Sequence, residues 1–212
     1  MAITHSAVAA NDVADTPPPM KVLWACTGSV ATVKVPECVV RMRAEGHEVK
    51  VVCTPRARFM LLDGPAKKYN AAAFQAFVDS GVRVLCDEDE WPADYAVSDG
   101  EVLHIELRKW ADALCIAPLS ANMLAKLALG LSDNLVSCIA RAWDETKPIV
   151  VAPAMNTLMW TNPHTTRHLA MLPAYYHVVP PVSKTLACKD TGVGAMAAVD
   201  DVCRALLLVS RL

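Results

Sequence analysis

The sequence predicts an α/β fold: a mostly parallel sheet covered by helices on both faces. Six short apolar runs, KVLWACT, HEVKVVCT, VRVLCD, ALCIAPL, KPIVVAPA and YHVVPPV, alternate with longer amphipathic or mixed stretches. That β-α-β-α alternation is how parallel strands with crossover helices read in one dimension. With 212 residues, 54% of them hydrophobic, the chain can bury one substantial core. Turn-forming groups follow four of the runs, as TGSVA, CTPRA, PLSAN and PAMN. In such sheets ligands bind at the carboxyl ends of the strands, so chemistry is expected there.

Taken in order, residues 1–19, MAITHSAVAANDVADTPPP, hold no continuous apolar core and almost no basic residues. They read as a flexible tail ending in a stiff spacer, Pro17 to Pro19, with neither secretion nor mitochondrial import suggested. Residues 20–212 are expected to form a single domain, with no repeat and no dividing linker. The helix after the first strand should turn Val35, Val39, Val40 and Met42 toward the sheet and end near Gly46. LLDGPAKKYNAAAFQAFVDSG reads as a loop and one extra helix. ANMLAKLALGLSDNLVSCIARAWD reads as a long helical stretch broken at Gly130 and the polar SDN. No segment approaches the roughly 20 apolar residues of a membrane span, and a cytoplasmic location is expected.

A formal charge of -2 without a basic run offers no footprint for nucleic acid or for an acidic membrane surface. Small molecules or proteins are the expected partners. The eight cysteines form no C-x-x-C pair, which disfavours zinc and a disulfide framework, and most sit among Val, Leu, Ile or Ala as reduced buried thiols do. No metal is expected. Cys188 stands apart, beside Lys189, Asp190 and two glycines.

Thr27 to Ala31, TGSVA, turns from a strand into a helix and aims backbone N–H groups outward, with Ser29 adding a hydroxyl. It is neither G-x-G-x-x-G nor a Walker motif, which disfavours a nicotinamide or a nucleoside triphosphate; an anion site and a plain capped turn both remain open. In APLSANMLAK, Ser120 or Asn122 suits a helix cap and also a ligand contact. His104 is followed by Glu106, Arg108, Lys109 and Asp112 and shares no metal-ligand spacing with His5, His47, His164, His168 or His177. A structural and a catalytic role are both open to it. Cys188, in the glycine-bearing TLACKDTGVGAM, suits either a free surface thiol or an acid or nucleophile on a mobile flap, and Asn156 reads as a helix N-cap.

Together, TGSVA, VLHIELRKWADALCIAPLSAN, DNLVSCIARAWD, KPIVVAPAMNTLMW and LACKDTGVGAM, in this order over residues 21 to 200, resemble the homo-oligomeric flavin-containing cysteine decarboxylase family. The resemblance implies a Rossmann-like (flavodoxin-like) three-layer subunit that assembles as a homotrimer, with FMN and substrate bound where subunits meet. It places FMN contacts on Gly28, Ser29, Val30, Cys53, Thr54, Ser120, Ala121, Asn122, Met123 and Ala154. His104 and Cys188 match its catalytic positions, and Asn156, Met159, Lys109 and Gly192 match positions tied to substrate. A substrate flap is implied around residues 183–197.

The implied activity is that of the eukaryotic monofunctional members, FMN-dependent decarboxylation of 4′-phosphopantothenoylcysteine to 4′-phosphopantetheine in coenzyme A biosynthesis. Losing CO₂ from a cysteine carboxylate leaves a carbanion without an electron sink. In the family, FMN first oxidises the thiol side chain to a thioaldehyde, whose C=S accepts those electrons. Hydride then returns from reduced flavin with a proton from the flap cysteine, while the histidine assists the initial oxidation as base. Two alternatives are a decarboxylase of peptide C-terminal cysteines and a regulatory subunit of mixed trimers that inhibits a protein phosphatase. This chain departs from the family pattern at Lys109, commonly arginine, at Lys189, commonly glycine, and at Cys53, commonly threonine.

Overall fold

The structure, a computed structural model, describes residues 18–92, 100–185 and 191–210. Cys188, Lys189 and nearly all of the expected tail lie outside the described residues. Chain order is β1 (Lys21–Cys26), a 3₁₀ turn (Val30–Lys34), α1 (Val35–Ala44), β2 (Glu48–Cys53), α2 (Pro55–Leu62), α3 (Pro65–Tyr69) and α4 (Ala71–Asp79). Then follow β3 (Val84–Leu85), α5 (Asp87–Glu90), α6 (Leu103–Trp110), β4 (Ala113–Leu119), α7 (Ala121–Leu129) and α8 (Leu135–Arg141). The remainder is β5 (Ile149–Pro153), α9 (Thr157–Trp160), α10 (Pro163–Met171), β6 (Tyr176–Val178), β7 (Val182–Thr185), β8 (Thr191–Ala195) and α11 (Val199–Val209).

Six strands pair in the order β3-β2-β1-β4-β5-β6, every neighbour parallel, and β7 and β8 form a separate antiparallel hairpin. This is the doubly wound, Rossmann-like order, whose winding reverses between β1 and β4 and opens a crevice there. Strand alternation divides the core in two. Val22, Trp24, Cys26, Val51 and Cys115 face α1, α4 and α11, while Leu23, Ala25, Leu114, Ile116 and Val151 face α6, α7 and α8. β4 and β5 are buried at every position, which is why their runs carry no polar alternation.

Buried thiols follow the same logic. The Cys26 thiol is pushed up by its hydrogen bond to Cys53 and then by burial, and Cys38 by its hydrogen bond to Cys203 and then by burial. Both stay protonated and inert, as cysteines in an apolar reduced core do.

Helix ends match the residue chemistry. Gly46 follows α1 at φ 91°, and Gly130 ends α7 at φ 70°, conformations that glycine adopts without strain. Where a loop and one helix were expected, over residues 61–81, the chain ends α2 and builds two short helices, α3 and α4. Asp63-Gly64-Pro65 looks like loop punctuation, but Gly64 turns at φ 112° and Pro65 opens α3, where a missing N–H costs nothing. Asn70 then caps α4, its Oδ1 accepting from the Ala73 N–H at 3.1 Å, and its Nδ2 donates to Glu37 Oε1 of α1 at 2.8 Å. VRVLCD contributes only the two-residue edge strand β3.

Candidate active site

The crevice floor begins at Thr27, a buried residue just past β1. Its Oγ1 donates to the Pro118 carbonyl at 2.9 Å and accepts from the Ser120 N–H at 2.8 Å, bridging the gap where β1 and β4 part. Next, Gly28 packs so closely on α2 that a Cβ there would lie 3.0 Å from Arg56 Cβ. Ser29 Oγ accepts from the Ala31 N–H at 3.3 Å, and Ser120 Oγ accepts from the Met123 N–H at 3.2 Å. Both turns are therefore capped in the manner serine favours. At the end of β2 the Thr54 hydroxyl is buried without a hydrogen-bond partner among the described residues. β5 runs on to Ala154, whose N–H donates to the Leu119 carbonyl at 2.9 Å.

The wall comes from the turn after β5 and from the hairpin. Asn156 Oδ1 accepts from the Leu158 N–H at 2.8 Å, so the cap expected for this amide is present. Gly194 accepts at its carbonyl from the Met155 N–H at 2.9 Å. A Cβ on Gly194, which has φ 154°, would fall 2.3 Å from the Met155 carbonyl oxygen. One on Gly192 would fall 2.6 Å from Thr157 Oγ1. Two glycines thus let β8 lie flat against the turn that carries Asn156.

These elements enclose a cleft of about 970 Å³. Gly28, Ser29, Val30 and Thr54 line it from one side of the crevice, and Ser120, Ala121, Asn122 and Met123 from the other. Ala154, Asn156 and Met159 complete it beneath the hairpin. Four expected residues stand elsewhere. The Cys53 side chain faces the core, fully buried, with Sγ donating to the Leu85 carbonyl at 3.6 Å. Gly192 packs on Thr157, outside the lining. Lys109 lies on the exposed face of α6 with its ammonium 2.8 Å from Glu106 Oε1. His104, also on α6, meets the Glu90 carboxylate through Nδ1.

Three lysines at the cleft were not picked out from the sequence, one of which, Lys126, is paired with Asp133. Lys34, at the end of the 3₁₀ turn, and Lys184, on β7, both line it. Burial, followed by repulsion from Lys184, holds the Lys34 ammonium below the usual lysine range. Paired cations of this kind favour an anion between them. Lys34 was discoverable as the first cation after GSV, whereas nothing in the exposed β7 pattern marks Lys184.

The chain matches the family described as Flavoprotein over residues 11–209. A phosphopantothenoylcysteine decarboxylase of Oryza sativa subsp. japonica is 49% identical over 186 residues, which is 86% of this chain and 78% of the relative. A solved cysteine-to-serine variant of a PPC decarboxylase, complexed with pantothenoylaminoethenethiol, is 43% identical with a TM-score of 0.78, covering 92% of this chain and 100% of the other. The solved FMN-binding protein AtHal3 is 45% identical with a TM-score of 0.72, covering 89% of this chain and 95% of the other. With a doubly wound sheet, a cleft at its switch point and agreement along nearly its whole length, this chain belongs to the flavoprotein family, within its phosphopantothenoylcysteine decarboxylase group.

Proposed function

We infer that this chain catalyses FMN-dependent decarboxylation of 4′-phosphopantothenoylcysteine to 4′-phosphopantetheine, a step of coenzyme A biosynthesis. The carrying observation is the cleft, where the turns after β1, β2, β4 and β5 converge and the β7-β8 hairpin covers them. The residues fit a flavin: the buried Thr54 hydroxyl, at the cleft, has no hydrogen-bond partner among the described residues. Gly28 to Val30, Thr54, Ser120 to Met123 and Ala154 would hold it. Bound FMN supplies reversible two-electron chemistry, accepting electrons from the cysteine side chain and later returning them.

Asn156 is assigned to the substrate carboxylate. An amide binds and orients that group without the ionic stabilisation an arginine would give, which would oppose loss of CO₂. Met159 shapes the apolar wall beside it. Lys34 and Lys184 at the cleft favour a phosphate-bearing ligand. His104 serves as base and Cys188 as proton donor.

His104 and Lys109 stand outside their own cleft, which suits a homotrimer whose subunits complete one another's sites. Leu158, 78% exposed beside cleft-lining Met159, agrees with an apolar surface that a neighbouring subunit covers. Among the described residues no helix is long and apolar enough to cross a membrane. A cytoplasmic setting agrees with the free buried thiols.

The test is an absorbance spectrum of the purified protein and mass spectrometry of products from 4′-phosphopantothenoylcysteine. Flavin bands and 4′-phosphopantetheine are expected; a colourless protein that stays inactive with added FMN overturns the assignment. Cys188→Ser should accumulate the oxidised enethiol, and His104→Asn should stop before CO₂ is lost. Complete product release by both variants would refute those roles.

A further inference from the structure

We propose that Glu90 is the positioning residue of the His104 base, a role that rests on the function assigned above. α5 is a single turn of four acids, Asp87, Glu88, Asp89 and Glu90, and each has a different occupation. Asp87 Oδ1 accepts from the Leu135 N–H at 2.8 Å, tying α5 to α8. Asp89 Oδ2 accepts from the Cys86 N–H at 2.8 Å and closes the turn. Glu88 is exposed. Glu90 alone turns inward, with its side chain only 4% exposed, and its carboxylate meets His104 Nδ1.

Burial of a carboxylate is unfavourable unless a partner receives it, so this contact is a built one. An ionised carboxylate can only accept, so Nδ1 must donate. The imidazole proton is thereby held on Nδ1, and the lone pair falls on Nε2, which makes no hydrogen bond among the described residues. A base needs that tautomer. The third neighbour, Cys138 of α8, has its sulfur within 4.8 Å of the Glu90 and His104 ligand atoms. Burial, then the charge of Glu90, pushes that thiol up, so it stays neutral and does not compete with the carboxylate.

With FMN held by the cleft turns, where it would supply the two-electron acceptor, His104 Nε2 would take the substrate S–H proton as the side chain is oxidised to C=S. The ring becomes an imidazolium with both nitrogens protonated, and the fixed Glu90 charge beside Nδ1 stabilises it. Glu90 therefore acts through His104 and does not touch the substrate.

The experiment compares the FMN-loaded wild-type protein with Glu90→Gln and Glu90→Asp, measuring kcat per bound flavin and KM for 4′-phosphopantothenoylcysteine. Glu90→Gln should lower kcat per flavin by about 10²-fold with KM changed less than about threefold, and Glu90→Asp should recover about tenfold of that loss. If Glu90→Gln lowers only the yield of folded, flavin-loaded protein and kcat per flavin is unchanged, Glu90 is a structural anchor and the proposal fails. An inactive wild-type protein would instead overturn the assigned reaction. An active wild type with His104→Asn blocked and Glu90→Gln fully active overturns the positioning role alone.

Discussion

The floor of the cleft and its cover are built in opposite ways. The floor is a set of buried strand ends pinned by side-chain hydrogen bonds, with Thr27 joined to both Pro118 and Ser120. The cover is the β7-β8 hairpin, with all four residues of β7 exposed and β8 held to the turn after β5 by one backbone bond, Met155 N–H to Gly194 carbonyl. Stability and ligand geometry are thus vested in the floor, and access is left to an element whose displacement exposes little core. The glycines follow this division. Gly28 lets the turn after β1 pack on α2 within the floor, and Gly192 and Gly194 let the cover lie against the turn after β5.

That contrast can be broken most severely at Gly194. In Gly194→Ala the new methyl collides with the Met155 carbonyl, so the hairpin must lift. Turnover should fall about 10²-fold, because misplacing a site wall by an ångström costs that much, while flavin absorbance and thermal stability stay near wild type. Unchanged turnover would show that the cover takes no part in the reaction. Thr27→Val attacks the floor instead, leaving the Ser120 N–H without this acceptor and the Pro118 carbonyl with only the Thr27 N–H. The expected cost is about 2–4 kcal/mol of stability, read as a drop of several degrees in the melting temperature together with weaker FMN binding. A melting temperature equal to wild type would remove Thr27 as the pin.

Thr54→Val gives the smallest effect and the sharpest separation of roles. Its hydroxyl has no partner among the described residues, so flavin-free protein should be as stable as wild type or slightly more so. FMN affinity should weaken about fivefold to tenfold in a flavin titration, the worth of one net hydrogen bond. Equal affinity would exclude this hydroxyl from the flavin site.

Much of this division was legible from local chemistry. The apolar runs located all six strands of the main sheet, and Gly46, Gly130 and Asn156 mark ends and caps where glycine and asparagine do in general. Less legible was the face on which a residue falls. Cys53 was expected at the flavin turn, yet it lies two residues beyond Val51 and shares its face in the core, so strand parity already pointed inward. Glu90 and His104 meet across 14 residues of chain, and Lys34 and Lys184 come to line the same cleft from distant parts of the chain; no period connects such pairs. Side chains with several rotatable bonds, placed by tertiary packing, are where sequence periodicity stops being informative.

Thr27 has one more consequence. Parallel strands that part at a switch point form a crack whose width would otherwise vary with whatever enters it. The backbone N–H and the hydroxyl of Thr27, just past β1, are both fastened to the end of β4 at Pro118 and Ser120, which sets that width before any ligand arrives. The crevice is thus shaped during folding, and the ordering entropy of this part of the floor is spent there and not in binding.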